Sequence, residues 1–330
     1  MDIFNFLKKI SWTIAFIFFV IGAVSGWLVF NYQAERDIFT GTQIREKDKN
    51  YVLISPLLAC VSPGKELFSE LESLGAKISS IANNRIKEGS AKEISVYYRD
   101  LGNGHWTGLN EDEKFFPASL LKVPIMMAYF KKAESDSGFL NEIVYIAPTA
   151  EIQNNEFGIP SKIKTSQSYT FRDLINYMII DSDNVAKDIL LSSVDNNILT
   201  EIFADLGIDN PESVRENESY GISARKYSLL FRSLYNATML NREMSEKTLE
   251  ILSKSKFTAG LTADLPGSII VAHKYGSHLS PPIGSELHDC GIVYSKNPYF
   301  LCVMTKGNDQ TKLSSVISEI SSTVYKEVAN

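Results

Sequence analysis

Cysteine is scarce in this 330-residue chain. Cys60, Cys290 and Cys302 form no CxxC pair, share no metal-ligand spacing with the four histidines, and no HExxH is present. That pattern argues against a protein-bound metal, and no cofactor is expected. Basic residues are not in excess either: 33 Lys and Arg stand against 39 acidic residues, a net charge of −6 with no basic stripe. The electrostatic footprint of a nucleic-acid binder is therefore missing, and small molecules or wall polymers fit better as partners of an expected monomer. No GxSxG elbow marks a Ser-His-Asp hydrolase. His105, His273, His278 and His288 all fall near strand-like segments, where they read as surface or satisfied core residues.

Charge is wholly missing from ISWTIAFIFFVIGAVSGWLVF, residues 10–30, which is about the length of a bilayer-spanning helix. Trp12 and Trp27 lie near its ends, Lys8 and Lys9 precede it, and Glu35, Asp37 and Arg36 follow. The expectation is an uncleaved anchor with residues 1–9 inside the cell and the rest outside; the run is longer than a signal-peptide core and no small-x-small cleavage site follows. Residues 31–64 read as a polar extracytoplasmic linker. YVLISPLLAC at 51–60 has the form of a lipidation box, but the apolar run is short, contains Pro56 and follows a charged stretch, so lipidation is not expected. Outside the cytoplasm disulfides are allowed. Cys290 and Cys302 are nearly symmetric about the turn-like SKNP at 295–298, which leaves a cross-hairpin bond and two buried thiols both open.

From residue 65 the pattern becomes that of a folded domain. ELFSELESLGAKISSI carries Leu67, Leu71, Leu74, Ile78 and Ile81 at helical spacing, the mark of an amphipathic helix covering a sheet. EISVYYRDLGNGHWTGL follows, with β-rich segments either side of an Asn-Gly step. A helical block runs to about residue 262, three strand-like segments return, and the chain closes on a helix bearing Leu313, Val316, Ile317, Ile320 and Val324. The order predicts an α+β fold: a five-stranded antiparallel sheet flanked by terminal helices, with an inserted all-α lobe. The α/β part spans 65–112 and 263–330, the α lobe 113–262.

Within FFPASLLKVPIMMAYF, residues 115–130, one lysine is embedded in apolar sequence three residues after a serine. On a helix Ser119 and Lys122 share a face. Burial lowers a lysine's pKa, and a partly neutral amine can take the proton of a neighbouring hydroxyl. Two other SxxK spacings, Ser223 to Lys226 and Ser253 to Lys256, read as solvated helix faces. Pro124 withholds a backbone donor early in the helix, where that is best tolerated. DSDN at 181–184 adds Ser182, able to relay a proton, and Asn184, whose amide can bond both a lysine and a substrate carbonyl. HKYGS at 273–277 adds the fixed charge of Lys274 and a glycine, Gly276, that lets substrate approach the strand. The backbone N–H of Ser277 would join that of Ser119 in an oxyanion hole.

SxxK, SDN and a KTG-like element, in this order and across a helical insertion, resemble the penicillin-recognising serine hydrolases, most closely the class A β-lactamases, over residues 65–330. The resemblance implies the β-lactamase/transpeptidase-like fold and an acyl-enzyme mechanism on β-lactam or peptidoglycan-peptide amides. Ser119 would attack, Lys122 assist, Ser182 with Lys274 manage the leaving nitrogen, and Asn184 and Ser277 position the amide. Two departures stand out. Tyr275 replaces the small hydroxyl residue that contacts a substrate carboxylate, with no arginine following in HDCGIVY, so that Ser277 or Tyr275 would have to supply a substitute hydroxyl. The loop PESVRENESYG lacks the family's usual spacing of glutamate and asparagine, leaving Glu216 and Glu218 as candidates for the acid that activates the deacylating water.

Overall fold

Strands from both ends of the folded region build one sheet. The computed structural model describes residues 22, 44–45, 51–59, 68–150, 160–211, 220–280 and 284–328. Its main sheet comprises β1 (Glu93–Asp100), β2 (Trp106–Leu109), β3 (Ile270–Ser280), β4 (Gly284–Tyr294) and β5 (Tyr299–Gly307). The order is β2-β1-β5-β4-β3 and every pairing is antiparallel. The helices are α1 (Glu72–Lys87), α2 (Lys122–Ala133), α3 (Phe171–Ile180), α4 (Asn184–Ser193), α5 (Asn196–Asp205), α6 (Ala224–Tyr235), α7 (Arg242–Leu252) and α8 (Gln310–Val328).

Side chains alternate across a strand, so a strand covered on both faces reads as an unbroken apolar run. β5 is such a strand. Tyr299, Leu301 and Val303 join a cluster with α1 and α8, while Phe300, Cys302 and Met304 belong to the larger core of the helical lobe. Both outer helices show the expected stripes: Leu74, Ile78 and Ala82 are buried on α1, and Leu313, Val316, Ile317, Ile320 and Val324 on α8. The Asn-Gly step lies within the β1–β2 connection, with Gly104 at φ +82°. Asp100 shapes that loop by accepting from the N–H groups of Gly102 and Asn103 at 2.6 and 3.0 Å. On β4 and β5, Cys290 and Cys302 are directly opposed and form a disulfide.

The described residues within Arg45–Leu58 and Phe68–Asn330 cluster as one compact unit, so the described stretch 51–58 of the expected linker belongs with the domain. Glu246 of α7 accepts from three successive backbone N–H groups, Val52 at 2.7 Å and Leu53 and Ile54 at 2.9 Å. The Ser55 N–H reaches the Tyr235 carbonyl at 2.7 Å, and Tyr294 donates to the Leu53 carbonyl at 3.1 Å. Leu53 and Ile54 are buried and belong to the core of the helical lobe. Among the described residues no helix is long and apolar enough to cross a membrane; the expected anchor at 10–30 lies outside them except for Gly22, as do Glu216 and Glu218.

Candidate active site

The SxxK element folds less simply than one helix. Residues Ala118–Leu121 form a 3₁₀ turn and α2 begins at Lys122. Pro124 explains part of this: lacking an N–H, it leaves the Leu120 carbonyl without its helical donor. Tyr227 of α6 fills the gap, donating its hydroxyl to that carbonyl at 3.0 Å, and burial raises the Tyr227 pKa well above its ordinary value, keeping it a donor. Just before the serine, Ala118 adopts φ +48°, a left-handed conformation that costs an alanine roughly 1–2 kcal/mol. Such strain persists only where surrounding contacts impose it.

The SDN element is the connection between α3 and α4. Ser182 also has a left-handed backbone, φ +54°, and so turns its carbonyl and its hydroxyl toward the same neighbour. Asp183, fully buried, caps α4 by accepting from the Ala186 N–H at 3.1 Å. It also accepts from the Ser161 hydroxyl at 2.8 Å and the Lys162 N–H at 2.7 Å. Taken alone, DSDN also reads as a helix cap, since an Asp directly before a helical run is a capping signal, and Asp183 is that cap.

Two lysines meet at this turn. Lys122, 1% exposed, donates to the Ser182 carbonyl at 2.6 Å, to Asn184 Oδ1 at 2.7 Å and to Ser182 Oγ at 3.1 Å. Lys274, fully buried on β3, reaches the same Ser182 Oγ at 2.9 Å and the Tyr275 carbonyl at 2.9 Å. A hydroxyl has two acceptor sites and one proton. With an amine on each acceptor site, the Ser182 proton is left to point at something else.

Ser119, Lys122, Asn184 and Ser277 line a cavity of about 500 Å³, within the usual size of a small-molecule site. Phe116 and His278, whose rings lie 4.6 Å apart, share its wall, with Leu121, Ile125, Leu199 and Phe203 on the apolar side. All seven sequence-derived site residues thus fall in one region: four line the cavity, Ser182 is hydrogen-bonded to Lys122 and Lys274 to Ser182, and Gly276 abuts the serine's turn.

Three expectations change. A Cβ on Gly276 would lie 2.6 Å from the Pro117 carbonyl oxygen and 3.0 Å from Leu120 Cγ. The glycine therefore admits the serine's own turn against the strand, where substrate access was expected. Tyr275 offers the cavity no hydroxyl: its ring is buried, stacked on Phe257 at 4.1 Å, with Lys274 Nζ 4.1 Å from its centroid. The Ser277 hydroxyl accepts from Gln310 Nε2 of α8 at 2.7 Å, so it too is directed elsewhere. The remaining SxxK spacings are local. Ser223 is buried and caps α6, accepting from the Lys226 N–H at 3.3 Å, and Lys256 pairs with Asp181 at 2.7 Å. Neither His273, bonded to Asp289 at 2.8 Å, nor His288, bonded to the Phe116 carbonyl at 3.0 Å, approaches a serine in the manner of a triad.

The β-lactamase enzyme family model matches residues 75–328. The chain belongs to that family. β-Lactamase VEB-1 of Pseudomonas aeruginosa is 23% identical over 236 residues, covering 66% of this chain and 78% of its own. Among solved structures, a β-lactamase from Chitinophaga pinensis is 20% identical with a TM-score of 0.66, matched over 77% of this chain and 99% of the other. A PBP-A mutant solved as an acyl-enzyme complex with penicillin G is 23% identical with a TM-score of 0.62, over 78% and 96%. Family membership makes the chain a serine hydrolase of the β-lactamase and penicillin-binding-protein kind, and the five-stranded sheet with its helical lobe is that fold.

Proposed function

We propose that the chain is a membrane-anchored β-lactamase that hydrolyses β-lactam amides through an acyl-enzyme on Ser119. The observation that carries this reading is the convergence of two buried amines on the Ser182 hydroxyl beside the cavity that holds Ser119. Ser119 attacks the lactam carbonyl and Lys122, in its neutral form with two N–H groups and a lone pair, takes its proton. Two of the nitrogen's polar contacts are to carbonyl-type oxygens of Ser182 and Asn184, which only accept; they orient the amine. Ser182 donates its proton to the leaving nitrogen and is reprotonated at Oγ by Lys122, which gives up the proton taken from Ser119, while Lys274 holds the other acceptor site. The fixed positive charge of Lys274 favours an anionic substrate near Ser182, and the N–H groups of Ser119 and Ser277 stabilise the developing oxyanion, each such donor being worth ~10²–10³-fold in rate. Asn184 positions the substrate amide, and Glu216 or Glu218 activates the water that frees Ser119. Residues 10–30 hold the protein in a membrane with the domain outside the cytoplasm, a reading that rests on their length and lack of charge.

A second reading, a D-alanyl-D-alanine peptidase or slow penicillin-binding protein on this scaffold, is favoured by the third motif. Tyr275 is turned into the core, and no arginine is among the described residues lining the cavity, so the usual carboxylate contacts are reduced. A pocket that binds wall peptides without turnover is the limiting case. Labelling with a fluorescent penicillin, in wild type and Ser119→Ala, tests the nucleophile: an adduct in the wild type alone supports it, and none on any time scale leaves only the binding protein. Multiple turnovers of a chromogenic cephalosporin then identify a β-lactamase, whereas a single burst identifies the slow enzyme. Recovery of the full-length chain in the membrane fraction, released by detergent and not by salt, checks the anchor.

A further inference from the structure

We propose that His288 and Glu286 of β4 are positioning residues that clamp Phe116 and thereby hold the strained turn presenting Ser119. The proposal rests on the reading of Ser119 as nucleophile. Phe116 is gripped at both backbone groups: its N–H donates to Glu286 Oε2 at 3.0 Å, and its carbonyl accepts from His288 Nε2 at 3.0 Å. His288 is itself fixed. Its Nδ1 accepts from the Thr305 N–H of β5 at 3.2 Å, which assigns the ring proton to Nε2, and Phe115 packs edge-on against the ring at 5.5 Å.

Sheet geometry explains how β4 reaches a turn that lies beyond β3. His288 is directly opposite Gly276 in the β3–β4 register, and directly opposed residues put their side chains on the same face. A side chain at position 276 would occupy the space of the Pro117 carbonyl. Because glycine stands there, the turn lies close against the sheet and the imidazole extends past β3 to meet it. Between the clamp and Ser119 lie only Pro117, whose φ is restricted, and Ala118 at φ +48°. Fixing Phe116 at one end, with Tyr227 holding the Leu120 carbonyl at the other, leaves the serine little freedom. The titratable and charged groups around the clamp include Glu286, which lies 3.3 Å from His288 Nε2, Lys306 of β5, 3.9 Å from Glu286, and His278, whose ring lies 4.6 Å from that of Phe116.

The test is single-turnover acylation by a fluorescent penicillin together with amide hydrogen exchange of the peptide spanning 115–122. In His288→Leu and in Glu286→Ala the exchange is expected to quicken and the acylation rate at saturation to fall about 10- to 100-fold. The dissociation constant of the non-covalent complex should stay within about twofold, because the clamp acts on the attacking group and not on binding. His288→Gln, which keeps a donor near the Nε2 position, should recover most of the rate. Should His288→Leu not fold, Glu286→Ala at its less buried position carries the same comparison. Unchanged exchange in folded variants overturns the clamp whatever the rate. Faster exchange with a wild-type acylation rate overturns the positioning role. A wild type that no penicillin labels refutes the reading of Ser119 instead, and exchange still decides whether the clamp exists.

Discussion

Replacing Gly276 by alanine separates two accounts of the third motif. The added Cβ would stand 2.6 Å from the Pro117 carbonyl oxygen, whereas a carbon–oxygen contact relaxes to about 3.3 Å, so the turn and β3 must part by roughly 0.7 Å. The neighbouring Leu120 side chain, 3.0 Å away, can give slightly; the Pro117 carbonyl, tied to the Leu120 N–H at 2.9 Å, cannot do so alone. Overpacking of this kind costs about 1–3 kcal/mol of stability. Displacing an attacking group by a comparable fraction of an ångström to an ångström slows its reaction by up to ~100-fold. The expected result for Gly276→Ala is a folded protein, measurably less stable to urea, whose acylation at saturating penicillin is slowed about 10- to 100-fold with little change in non-covalent affinity. Stopped-flow acylation over a range of penicillin concentrations measures both parameters. If affinity alone weakened while the saturating rate held, the glycine would be serving substrate access and the packing argument would fail.

Other outcomes follow from the same contacts. Asp183→Ala removes the cap of α4 and the acceptor for Ser161 and Lys162; a loss of about 1–2 kcal/mol is expected by denaturation, with slower penicillin labelling because Ser182 is no longer held, and wild-type values for both would refute the assignment. Glu246→Ala strips three backbone N–H groups of their carboxylate and should destabilise the domain by about 3 kcal/mol, leaving the acylation rate of the folded protein unchanged; a silent substitution would mean that residues 51–58 are not part of the folded unit in solution. For Glu286, burial raises the pKa but is outweighed by the hydrogen bonds from His288 and the Phe116 N–H and by the charge of Lys306, so the net shift is downward. A depressed carboxyl contributes stability that is present above its unfolded pKa and lost as pH falls through the lower folded value. The stability difference between wild type and Glu286→Gln should therefore be constant near neutrality and shrink only in acid, below the ordinary carboxylate range; a difference that grew on acidification would contradict the shift.

Much of the architecture was legible because it is written in periodicity. The stripes of α1 and α8, the unbroken apolar run of β5 and the order of helices and strands all follow from which faces must be buried. The candidate site was legible for a different reason: Ser119, Lys122, Ser182, Asn184 and Lys274 stand in the order of the SxxK, SDN and KTG-like elements of the family that the chain resembles, and that resemblance groups them. What stayed hidden was direction. Sequence could not tell that Tyr275 would stack on Phe257, that Gln310 would take the Ser277 hydroxyl, or that Glu246 would bind residues 52–54 from nearly two hundred positions away.

By itself, then, the order of residues determined the kinds and order of elements, their apolar faces and the chemical groups available, since burial and hydrogen-bonding capacity are properties of each side chain and its neighbours along the chain. Only the tertiary structure decided the use of Gly276, the grip of His288 and Glu286 on Phe116, and the burial of Leu53 and Ile54 in the core. Each of these depends on atoms brought within about 3 Å by strands and helices far apart in sequence, and no local pattern encodes which of many polar partners will arrive there.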